Sequence, residues 1–168
     1  MESKGSLDLQ RKISTETLRH RGPEVINLAE AELILDGAFA HAASQGLTPL
    51  TVAVLDAAGR LVALKRQDNS SLLRPEIAQA KAFGALAMGM GSRGLAGRAQ
   101  SHPAFIASVT ALCGGMLVPV PGGVLCYDGD RLVGAVGVSG ALPDQDEACA
   151  IAGIEQAGLV PEPAAREK

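Results

Sequence analysis

Leu28, Ala31, Leu35, Ala38, Phe39 and Ala42 recur at helical spacing and predict a helix with one apolar stripe. Asn27 with Glu30 three residues on marks its start, and Gly46 marks its end. The pattern then becomes continuous. Residues 50–55 read as a buried strand, Asp56-Ala-Ala-Gly59 as a turn and residues 60–65 as the returning strand of a β-hairpin. After a polar loop over 67–73, Pro75 suits the first turn of a second helix that runs to about residue 90. Its predicted inward face, Ile77, Ala80, Gly84, Ala87 and Gly91, is small enough to let another backbone come close.

Gly91-Ser-Arg-Gly94 breaks that helix, and short helical pieces follow near 93–99 and 103–109. Residues 115–120 read as a strand. A glycine-rich hairpin over 121–140 follows, turning at Asp128-Gly129. Pro143 opens a last helix whose first turns carry Asp144, Asp146 and Glu147, which suits the helix dipole, and Gly158 ends it. The order predicts an α+β domain over 25–160, a five-stranded antiparallel sheet with helices packed on it. Residues 1–24 form a polar arm with a short helix near 9–18, and 161–168 a tail.

Composition narrows the function classes. The chain is 47% apolar but only 2% aromatic, so its core is Ala, Val, Leu and Ile, and it lacks platforms for stacking bases. With a net charge of −3, nucleic acid is not an expected partner. No apolar run reaches the 18 to 20 or so residues of a membrane span, and the mixed-charge N-terminus does not read as a secretory signal, so a cytoplasmic location is expected. The charge is segregated: Arg74, Lys81, Arg93 and Arg98 oppose only Glu76, whereas Asp144, Asp146, Glu147 and Glu155 have no basic neighbour. Solvated helix faces, an anion-facing helix or complementary oligomer surfaces all fit that pattern. Cys113, Cys126 and Cys149 form no CxxC pair and read as buried structural thiols, without a zinc site.

The hairpin has glycine at both ends and twice inside its second strand, at Gly134 and Gly137, which marks a close approach of backbone or ligand. Arg66 and Asp68, two apart after the first hairpin, suit a carboxylate clamp with a general base, or a structural pair holding the loop. Lys81, mid-helix among small residues, suits an anion's counter-charge or a base, or else a snorkelling surface lysine. Gly122 and Gly123 suit an anion nest or a plain turn. Ser139 suits a ligand contact or, better, a cap on the acidic helix. Among the histidines, His102 in a loop before Pro103 is the better ligand candidate, with His41 on a helix surface and His20 in the arm. No metal-site spacing occurs among them. Met88 and Met90 read as gap-fillers sooner than axial ligands. Nucleophile-elbow, P-loop and dinucleotide fingerprints do not occur.

From Ile26 onward the chain resembles the GlcG/HbpS family of haem-degrading-domain proteins, which includes the C-terminal domain of PduO-type corrinoid adenosyltransferases. The residues that carry the likeness are Asn27-Leu-Ala-Glu-Ala-Glu32, Val52-Ala-Val-Leu-Asp-Ala-Ala-Gly-Arg-Leu-Val-Ala63 and Arg66-Gln-Asp68. Ala80-Lys-Ala82, Gly122-Gly-Val124, the run from Asp128 to Gly140 and Asp146-Glu-Ala148 continue it, over about residues 26–158. The resemblance implies a profilin-like α/β sandwich and a homo-oligomer, often an octamer. It implies a small-molecule ligand, with haem possible as a cofactor. Two functions follow as expectations: a module binding haem, another tetrapyrrole or a small anionic metabolite, or an enzyme moving protons on a small oxygenated metabolite. The enzyme would use Arg66 for binding, Asp68 or Lys81 as acid/base and the Gly122 and Gly123 amides for an oxyanion.

Overall fold

The computed structural model describes residues 25–165. Helix α1 (Leu28–Ser44) leads into strands β1 (Thr51–Asp56) and β2 (Leu61–Arg66). Three helices follow, α2 (Arg74–Met88), α3 (Ser92–Ser101) and α4 (Pro103–Leu112). Then come β3 (Gly123–Asp128), β4 (Arg131–Ser139), α5 (Pro143–Gln156) and β5 (Val160–Glu162). The strands form one antiparallel sheet in the order β2-β1-β4-β3-β5.

Local chemistry sets most boundaries. Asn27 Oδ1 accepts from the Glu30 N–H at 3.0 Å and Glu30 Oε2 accepts from the Asn27 N–H at 3.1 Å, a complete capping box. In the first hairpin, Asp56 Oδ1 accepts from the N–H groups of Ala58 and Arg60, and Gly59 takes the left-handed conformation at φ +75°. Side-chain alternation then sorts the sheet into two faces. Val52, Val54, Val124, Cys126, Val136 and Val138 pack under α1 and α5 in the main core. Leu55, Leu125 and Ala135 meet Ala82 and Ala85 of α2 on the other face. Beyond the end of α2, Met90, Leu95, Ile106 and Leu117 close a third cluster with α3 and α4, and Met88 packs on it, so both methionines fill core gaps.

The structure departs from expectation in three places. Residues 115–120 pair with no strand. The fifth strand is Val160–Glu162, which straddles the expected domain–tail boundary and pairs with β3 at Leu125, Cys126 and Tyr127. Of the expected inward face of α2, Ala80, Gly84 and Gly91 are buried, Ile77 is half-buried and Ala87 is exposed, while Ala78, Lys81, Ala82 and Ala85 are buried as well. The chain breaks at Gly89, φ +63°, so Ser92 to Gly94 already lie in α3. The arm, its short helix and His20 lie outside the described residues.

Candidate functional site

Three places bring candidate residues together. The first is a polar seam at the Ser139 end of the sheet. Ser139, Thr51 and Arg66 stand in one row across β4, β1 and β2. Thr51 Oγ1 and Ser70 Oγ lie 3.0 Å apart in a buried hydrogen bond, and Arg74 donates to Ser139 Oγ at 3.1 Å. Ser139 therefore does not cap α5; it anchors Arg74 at the start of α2.

Deeper in the same seam, Lys81 is 3% exposed. Its Nζ donates to Asp146 Oδ2 and to the Val138 carbonyl, each at 2.9 Å. Asp146 Oδ1 accepts from the Ala141 N–H at 2.9 Å. Lys81 is thus no snorkelling surface lysine. It joins α2 to α5 across the start of β3, from opposite faces of the sheet. Burial pulls its pKa below the ordinary lysine range against the opposing pull of Asp146, and burial raises the Asp146 carboxyl against the pull of Lys81. The ion pair has room because Gly122 and Gly123 lack side chains. A Cβ on Gly122, at φ +120°, would stand 2.9 Å from Lys81 Nζ and 3.0 Å from Asp146 Cβ. One on Gly123 would strike Ser92 Oγ and the Lys81 carbonyl. Both glycines are buried. Gly137 likewise lets the α2 backbone at Ala78 lie directly on β4, and Gly134 admits Ile26. The glycine pattern of the hairpin marks close approach of the chain to itself.

The segregated charges also meet within the chain. Besides Lys81–Asp146, Arg93 bridges Asp144 at 2.6 Å and Glu147 at 2.7 Å, tying α3 to α5. Sequence reading placed Asp146 in a helix dipole and left Arg74 in a basic patch. The one signal that could have joined Asp146 to Lys81 is that both stand in motifs carrying the family resemblance.

The second place is an open groove of about 500 Å³ lined by Leu47, Pro49, Arg66, Gln67 and Asp68. Arg66 and Asp68 are exposed there, whereas Lys81 is sealed in its ion pair, so the acid/base trio does not share one solvent-open surface.

The third place is the head of α4. His102 is exposed at the junction of α3 and α4, with Nδ1 2.9 Å from Ser101 Oγ. Phe105 and Leu112, one and three turns on, are 51% and 87% exposed, and Arg98 is exposed in the last turn of α3. His41 is half-buried in α1. Of the cysteines, Cys126 and Cys149 are buried as expected, but Cys113 is only partly buried at the end of α4. No described helix is long and apolar enough to cross a membrane.

Solved structures share this fold. A crystal structure of a PduOC:Heme complex matches with a TM-score of 0.73 at 23% identity, over 80% of this chain and 96% of that one. The Klebsiella pneumoniae protein ORFY matches at 0.75 and 20% identity, over 82% and 94%. HbpS matches at 0.69 and 27% identity, over 80% and 91%. No curated protein matches the chain. The family model for the HbpS-like haem degrading protein matches residues 26–155, and this chain belongs to that family.

Proposed function

We propose that this protein binds a haem-type tetrapyrrole on the outer face of α4, where His102 would hold the iron. The observation that carries the reading is an exposed imidazole heading an exposed apolar helix. Ser101 engages Nδ1, which leaves Nε2 to face a ligand. Phe105 and Leu112 give the macrocycle an apolar bed, and Arg98 gives its carboxylates a cation. A single imidazole would be enough to hold a haem, and bound haem would supply redox and ligand-exchange chemistry at its iron. Family membership and the fold shared with a haem complex support the same reading. The exposed apolar side chains elsewhere, Leu72 at 81% and Leu73 at 62%, favour assembly into a homo-oligomer, the octamer of the family resemblance.

Binding is a better fit than proton-transfer catalysis. Of the two acid/base candidates, Lys81 is committed to Asp146 and Val138, which leaves Asp68 alone beside Arg66 in an open groove. Haemin titrated into the purified protein should give a saturable Soret shift that is lost in His102→Ala and kept in Arg66→Ala. An unsaturable shift, or one indifferent to His102→Ala, overturns the reading.

A further inference from the structure

We infer that the groove beside the end of β2 is a separate binding site for a zwitterion, an α-amino acid with an aliphatic side chain. Gln67 follows β2 and ties its end to β1. Its Oε1 accepts from the Leu50 N–H at 2.7 Å and its own N–H donates to the Leu50 carbonyl at 2.9 Å. Arg66 ends β2 and Asp68 stands two residues on in the turn closed by the Ser70 N–H to Gln67 carbonyl bond. Both line the groove, with Leu47 and Pro49 forming its apolar wall.

Neither charge is used by the fold. Among the described residues, the side chains of Arg66 and Asp68 form no ion pair or hydrogen bond, with each other or with any neighbour. Arg74, Arg93, Arg131, Lys65 and Lys81 have side-chain partners, whereas Arg60 and Arg98 share the free state of Arg66 among the described residues but do not line this groove. The loop that presents the pair is held in place. Ser70 N–H donates to the Gln67 carbonyl at 3.2 Å, the Ser70 hydroxyl is tied to Thr51, and Asn69 sits in the left-handed region at φ +66°. The fixed loop backbone keeps both charges at the groove.

The ligand class follows from charge and shape. The guanidinium offers parallel N–H groups to a carboxylate, and Asp68 accepts from an ammonium. A simple carboxylate would satisfy Arg66 but face the Asp68 charge, and a simple amine would face Arg66. The groove therefore discriminates against either single charge. Leu47 and Pro49 receive an aliphatic side chain. This site shares no residue with the face of α4 and does not rest on the tetrapyrrole reading.

The test is an NMR titration of the ¹⁵N-labelled full chain with L-leucine, 4-methylpentanoate and 3-methylbutylamine. The last two each lack one of leucine's charges. Leucine should saturate, with shifts centred on residues 66–69, and bind at least tenfold more tightly than either analogue. Arg66→Gln and Asp68→Asn should each weaken leucine at least tenfold, and His102→Ala should leave it unchanged. No saturable leucine binding, equal binding of 4-methylpentanoate, or indifference to both substitutions overturns the proposal, whatever haemin does.

Discussion

Removing one half of the buried pair should expose how much of the fold hangs on Lys81 and Asp146. In Lys81→Met the apolar stem is kept, but the Asp146 carboxylate stays 2% exposed beside Gly122 with the Ala141 N–H and the charge of Arg74 left to oppose it. In Asp146→Asn the ammonium stays buried against the Val138 carbonyl. Breaking a buried pair costs about 3–5 kcal/mol because the survivor is an uncompensated charge. For a domain of this size that lowers Tm by roughly 6–20 °C. The double variant Lys81→Met/Asp146→Leu removes both charges, so it should cost less than either single change. The pH dependence separates charge from packing. The folded-state pKa of Asp146 is raised, mainly by burial, and without Lys81 it rises further. The folded Lys81→Met protein then holds protons that the unfolded chain releases, so its deficit is small at low pH and grows as pH rises through the folded pKa. Lys81 is lowered by burial and without Asp146 is lowered further, so the deficit of Asp146→Asn shrinks as pH rises towards the ordinary lysine range. Urea unfolding of each variant against wild type at pH 5, 7 and 9 reads both slopes. Deficits below about 1 kcal/mol, or two variants with the same slope, would refute the argument.

Two further outcomes follow from close approach and from burial. Gly137→Ala drives a Cβ into the Ala78 carbonyl and should cost about 3 kcal/mol or more, while Gly46→Ala, strained only by φ +60° with open space around it, should cost about 1 kcal/mol; equal costs by denaturant unfolding would contradict the packing of α2 on β4. Burial lifts the Cys149 thiol to about 11 and Cys126 higher still, so a thiol reagent at pH 8 should label Cys113 first; early labelling of Cys149, read by mass spectrometry, would show that α5 opens.

What the sequence discloses and conceals follows from the range of each interaction. The start of α1, both hairpin turns and the Pro143 start of α5 rest on contacts within a few residues, so local spacing finds them. The expected face of α2 holds at Ala80 and Gly84 and misses Ala78, Lys81, Ala82 and Ala85, because alanines recur round the helix and blur its amphipathic contrast. The role of Lys81 depends on a partner 65 residues away, which no local pattern shows. Strand β5 is three residues with a proline in the middle, too short for a period-2 signal, while the apolar run at 115–120 looked strand-like but has no paired edge to join. Of the candidate site, Arg66 with Asp68 and the exposed His102 were legible from residue type and loop position. That Gly122 and Gly123 make room for an ion pair was not.

The central claim is a location for the tetrapyrrole, and paramagnetic broadening reads location directly. Ferric haemin added to ¹⁵N-labelled protein should bleach amide signals across residues 101–112 first, and His102→Ala should restore them. Broadening centred instead on residues 66–69, or on no contiguous surface, would contradict the account.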